Sequence, residues 1–168
     1  MVITHEEVLI RLLIITVLTM LIGMEREYRN KPAGLRTNVM VGIGSTLMTI
    51  ASIKALELFP ESKTVDPTRI AAQIITGIGF IGAGAILRTE SKSGVVGLTT
   101  AATLWVVSGL GIAVGMGMYY EAVLATGFVF LTFFVISRFV YTIRKWATAN
   151  PPKELLEERL PHSGTREH

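Results

Sequence analysis

Asp66, Arg69 and Gln73 stand at the entrance of a long apolar run, and their spacings of three and four residues put them on one face of a helix. An arginine this close to a membrane needs an anion or several acceptors. An amide in hydrocarbon is costly unless it is paired. The three are therefore expected to form one connected polar site, with Asp66 as the nearest acceptor for Arg69, although capping of the following helix competes for the same oxygens. Gln73 needs a partner of its own. Asn38, Arg69 and the hydroxyls near Thr99 and Thr100 are the available ones, and Gln73 serves either as structural glue or as part of a site.

The chain offers little for catalysis. Its three histidines, His5, His162 and His168, are terminal, and it has no cysteine. Cysteine-free chains have no disulfides, thiolate metal sites or thiol nucleophiles. The hydroxyls of the apolar runs have no evident base, so no activated nucleophile is expected. A divalent-cation cage wants several oxygens, usually including carboxylates. Glu25, Asp66 and Glu121 are the near-membrane acids in suitable places, and Glu25 belongs to the opposite side from Asp66. No enzyme activity, metal site or cofactor is expected. Gly77-Ile78-Gly79-Phe80-Ile81-Gly82 fits the G-x-G-x-x-G pattern, but that pattern signals a dinucleotide only after a strand and at the opening of a helix. Here Asp66-Pro67 reads as a helix start, which places the glycines inside the helix.

The elements that carry these residues are membrane spans. Of 168 residues, 50% are hydrophobic and 17% charged, below the charge of a soluble domain. Mean hydropathy is +0.51. Apolar runs of spanning length recur at 7–23, 36–58, 67–87, 97–116 and 120–140. The fold class is all-α, a polytopic membrane protein with about five transmembrane helices and a glycine-rich third. Thr4 and Glu7 have capping-box spacing at the start of the first. No basic region precedes that span and no small-residue cleavage site follows it, so it reads as a retained helix in which Arg11 snorkels. Residues 115–120 form the tight turn before the last span. Residues 1–143 make the transmembrane domain and 144–168 a short polar tail.

Basic residues set the orientation. Twelve of the 16 fall after the first span, after the third and beyond the fifth, which places the N-terminus outside and the C-terminus in the cytoplasm of a bacterial inner membrane. The net charge of +3 sits at span ends and does not suggest nucleic acid. At the inner end of the first span, Glu25 beside Arg26 is expected to act as an interfacial charge lock with Arg36 or another basic loop residue.

Small residues set the packing. In the second span Asn38, Gly42, Ser45, Thr49 and Ser52 share one helical stripe. In the third, Asp66, Arg69, Gln73, Gly77 and Gly84 lie on one face and Ala72, Thr76, Gly79 and Ala83 on another. Such faces let backbones approach closely. The third helix is therefore expected at the centre of a bundle or at a dimer seam, packing through Gly77, Gly79, Gly82 and Gly84. The fourth span adds Thr99, Thr100, Thr103 and Ser108, and the fifth, rich in Phe and Val, reads as lipid-facing. The expected partners are the bilayer, a second copy of the chain and another membrane protein.

Five stretches together resemble the MgtC/SapB family of bacterial inner-membrane proteins. They are Gly23-Met24-Glu25-Arg26-Glu27, Gly34-Leu35-Arg36-Thr37, Asp66-Pro67-Thr68-Arg69-Ile70-Ala71-Ala72-Gln73, residues 77–84, and Gly97-Leu98-Thr99-Thr100-Ala101-Ala102-Thr103-Leu104-Trp105. The resemblance implies five transmembrane helices and no enzymatic activity. It links the chain to growth in low magnesium and to virulence, as a regulator acting on membrane partners. Many members continue into a soluble C-terminal domain, for which the tail here is too short, and Thr99 stands where many carry Asn. The alternative is a small transporter or ion pathway formed by an oligomer and lined by Asn38, Ser45, Arg69, Gln73 and the hydroxyls of the fourth span.

Overall fold

A computed structural model describes residues 3–58, 66, 68–87, 96–136, 138–140, 142–143 and 145. Among the described residues five helical stretches are long and apolar enough to cross a membrane, the fifth being Tyr119–Val140. The elements are α1 (His5–Tyr28), α2 (Leu35–Leu58), α3 (Thr68–Leu87), α4 (Leu98–Gly115) and α5 (Tyr119–Leu131), the last followed by a π-helical turn, Thr132–Ile136. This all-α architecture agrees with the sequence reading. Of the expected polar tail, all but Lys145 lies outside the described residues, as do Lys63, Pro67, Arg88 and Lys92.

Two compact units divide the chain, Met1–Val129 and Phe130–His168. In the second, Phe130 stacks on Phe134 with ring centroids 6.1 Å apart and meets Phe133 edge-on at 6.4 Å. The first unit is a bundle held by its close contacts.

Within it, a tight glycine seam joins α2 to α4. A Cβ at Gly111 would lie 2.6 Å from Ser45 Cβ and 2.8 Å from the Gly42 carbonyl oxygen. One turn on, a Cβ at Gly115 would lie 2.6 Å from Thr49 Cβ. Only glycine permits this approach, and the matched step of four residues on both helices makes them parallel neighbours. On the other side of α2, a Cβ at Gly42 would lie 2.5 Å from Thr19 Cγ2, which seats α1.

The hydroxyls along these faces are mostly satisfied by their own helices. Thr19 Oγ1 donates to Ile15 O, Thr49 to Ser45 O, Thr103 to Thr99 O and Ser108 to Trp105 O, at 2.7–2.8 Å. Thr46 Oγ1 donates across the seam to Gly111 O at 3.0 Å. Back-bonding of this kind lets a hydroxyl sit in an apolar interior without a pathway of water. Asn38, Gly42, Ser45, Thr49 and Ser52 are all buried, as their shared stripe implied.

The third helix is not at the bundle centre. It packs antiparallel to α4, where a Cβ at Gly82 would sit 3.5 Å from Ala101 Cβ. Gly97, at φ 98°, makes the turn into α4 and passes so close that a Cβ there would lie 2.6 Å from Ala85 O. Half of α4's apolar window is buried, against 11% for α3. The reason is physical: α2 and α4 take the central place because their small residues interlock, whereas the glycines of α3 mostly face away.

Gly111→Ala should therefore cost about 1–3 kcal/mol through overpacking. Gly79→Ala, whose Cβ would meet nothing within 4 Å, should be neutral or slightly stabilising. Reversible unfolding in detergent micelles compares the two.

Candidate functional site

The polar groups gather at the two ends of the bundle. The end of α1 meets the start of α2, where a Cβ at Gly23 would lie 2.7 Å from the Leu35 Cα. Asn30, at φ 54°, takes the left-handed position after α1, and Lys31 N–H donates to Arg26 O at 2.9 Å while Asn30 N–H donates to Glu27 O. This Schellman-type closure turns the chain sharply. Glu27 then caps the next helix: its carboxylate accepts from Leu35 N–H at 2.7 Å. Gly34 is small because the Glu27 carboxylate occupies the space of a side chain. The Gly23–Glu27 and Gly34–Leu35 stretches are thus two halves of one corner.

Inside this corner lie two buried charges. Glu25 pairs with Arg29 at 2.6 Å and with Arg26 at 3.3 Å. Arg36 is exposed, so the lock closes on Arg29, one turn along the same helix, and not on Arg36. Asn38 is fully buried and donates its amide to Ala33 O at 3.0 Å and Gly34 O at 2.7 Å. Its Oδ1 accepts no hydrogen bond among the described residues. Thr100, at the start of α4, is buried and Thr99 beside it is exposed.

At the other end lies a buried contact that the sequence reading missed. Arg11 does not snorkel outward; it is only 3% exposed and donates to Gly115 O at 2.6 Å. Glu7, whose N–H is capped by Thr4, turns its carboxylate to Arg11 at 3.3 Å. A guanidinium on the last carbonyls of α4 complements the negative end of that helix. The clue was available: Arg11, Ile15, Leu18 and Ile22 share the period of the buried face of α1.

Among the described residues no hydrogen bond joins Asp66, Arg69 and Gln73 to one another. Asp66 is a helix cap, accepting from Thr68 N–H at 2.8 Å and Thr68 Oγ1 at 2.7 Å. Those bonds, aided by Arg69, hold its carboxyl below the usual carboxylate range. Arg69 and Gln73 are exposed. Asn38 and the α4 threonines cannot serve Gln73, because they belong to the opposite end of the bundle. Gly77, Gly79 and Gly84 have open space where a Cβ would be, so of the four expected packing glycines Gly82 alone meets another helix. The G-x-G-x-x-G stretch lies within α3, as expected. Among the described residues no three His, Cys, Asp or Glu side chains come together.

A model of the MgtC family matches residues 12–141. The chain belongs to the MgtC family. Among its relatives, Protein SapB of Bacillus subtilis is 47% identical over 133 residues, covering 78% of this chain and 55% of the relative. Escherichia coli YhiD, described as a putative magnesium transporter, is 48% identical over 115 residues, covering 67% and 53%. Protein MgtC of Salmonella typhimurium is 44% identical over 118 residues, covering 70% and 47%. This family member spans about half the length of the curated relatives it matches. No solved structure matches it.

The end where α1 and α3 begin can be probed directly. Arg11→Met, which removes the donor to Gly115 and keeps an unbranched apolar stem, should cost about 1.5–3 kcal/mol. Arg69→Met, at an exposed position, should stay within about 0.5 kcal/mol in the same unfolding assay. Because the Asp66 carboxyl is lowered, its capping contribution is complete above the ordinary carboxylate range and is lost as pH falls through the lowered value. Hydrogen exchange in the first turn of α3 should accelerate on acidification beyond its intrinsic pH dependence, and Asp66→Ala should remove that excess.

Proposed function

We propose that this chain is a non-enzymatic regulator in the bacterial inner membrane, linked to magnesium limitation and virulence, that works by helix contact with membrane partners, a second copy of itself foremost. Its N-terminus faces outward and its C-terminus the cytoplasm. The observation that carries this reading is the outward face of α3. Gln73, Gly77 and Gly84 share a face of a membrane-spanning helix, both glycines have open space, and the amide finds no partner among the described residues. In hydrocarbon such an amide gains from a facing helix, and the glycines let that helix come close.

The runner-up is a small transporter or ion pathway formed by an oligomer, favoured by the description of YhiD as a putative magnesium transporter. Against a magnesium path stands the chemistry of the interior. Its central hydroxyls are neutral and bonded back to their own helices, and its buried charges are paired at the ends. A dehydrated divalent cation needs several oxygen ligands and compensating charge.

Purified chain in sealed liposomes should pass no Mg²⁺. Gln73→Leu should instead weaken co-purification of a differently tagged second copy from membranes, and Gly84→Leu should do the same by bulk. Mg²⁺ flux abolished by Gln73→Leu would promote the transporter reading.

A further inference from the structure

Next to that face, between α2 and α3, runs an apolar groove of about 340 Å³, open along one side. Met40, Gly44 and Met48 line one wall and Ile74, Ile78 and Ile81 the other. It exists because α3 leans on α4 through Gly82 while isoleucines hold it away from α2. Gly44 adds to the width, since a Cβ there would meet nothing within 4 Å. From Met40 to Met48 the groove follows α2 for roughly 12 Å. Methionine walls adapt to irregular apolar shapes. Both helices span the membrane, so the open side faces acyl chains.

The charge at one end says which lipid fits. Arg36 precedes Met40 by one helical turn and lies on the same side of α2. It is exposed and has no ion pair among the described residues. Lys31, in the adjoining α1–α2 turn, is likewise exposed and without an ion pair among them. A guanidinium presents paired donors that match phosphate oxygens, and basic residues beside a spanning helix attract anionic headgroups. We propose that this groove holds one acyl chain of an anionic phospholipid, with its phosphate on Arg36. The proposal concerns a surface beside the contact face of α3 and does not depend on it.

The test is native mass spectrometry of the full chain in mild detergent, offered phosphatidylglycerol and phosphatidylethanolamine with identical acyl chains. The wild type should retain one phosphatidylglycerol per chain in preference to phosphatidylethanolamine. Arg36→Gln should reduce that preference about five-fold, the share of one cation near an anionic surface. Gly44→Phe, which fills the groove, should abolish retention of both lipids. Equal retention of the two lipids by the wild type overturns the proposal, and so does undiminished retention by Gly44→Phe. A dimer split by Gly44→Phe, with lipid retention unchanged, overturns it in favour of a second copy in the groove. Should Gly44→Phe not fold, the wild-type comparison and the surface change Arg36→Gln decide.

Discussion

The close approach of α2 and α4 is the constraint on which the rest of the first unit depends. Gly111 and Gly115 bring the backbone of α4 within contact of Ser45 and Thr49, and Gly42 admits Thr19 of α1 from the other side. With no hydrophobic force to drive helices together inside lipid, such van der Waals contact and an occasional interhelical hydrogen bond must hold them. Thr46 supplies one, on the Gly111 carbonyl. Thr19, Thr49, Thr103 and Ser108 bond within their own helices, so the seam rests on short-range contact. It leaves α3 to pack against α4, with Ile78 joining a cluster with Val41 and Leu104 and the face of Gln73, Gly77 and Gly84 uncovered.

The ends of the bundle obey a different rule. There the chain can bring charge inside because helix termini and nearby carboxylates receive it. Arg11 reaches the carbonyl end of α4 and leans on Glu7. Glu25 lies between Arg26 and Arg29, and Glu27 caps α2. Each end is thus fixed by a side chain of α1, and the helix nearest the N-terminus sets the position of two others. Charge buried at the ends and neutral groups in the middle suit a scaffold that presents a surface more than one that encloses a path for a divalent ion.

Much of this was legible in the chain. Five apolar runs of spanning length mark the helices, Thr4 and Asp66 announce their caps, and the stripe from Asn38 to Ser52 lies inside as its period requires. Where the reading went astray, tertiary packing had overridden a local signal. Glycine density pointed to α3 as a helix at the bundle centre or at a dimer seam, and the first alternative fails because density does not say which glycines have a partner with matching small residues. Gly111 and Gly115 do, in Ser45 and Thr49, and their spacing of four was the better clue. Arg11 read as an interfacial charge because its position near a span end suits snorkelling, while its true acceptor is a carbonyl 104 residues away. Nearness in sequence likewise suggested a triad of Asp66, Arg69 and Gln73, yet the hydrogen bonds that Asp66 accepts come from Thr68, both on Oδ1.

The central claim is that the uncovered face of α3 meets another helix in the membrane. The chain has no cysteine, so single cysteines introduced along α3 report only on their own position. Oxidative cross-linking in native membranes, scanned from residue 72 to residue 84, measures this directly. The account predicts cross-linked dimers at 73, 77 and 84, with little at 75 and 82, which turn toward α4. Cross-links absent at every position of the scan, or confined to the positions that face α4, would contradict it.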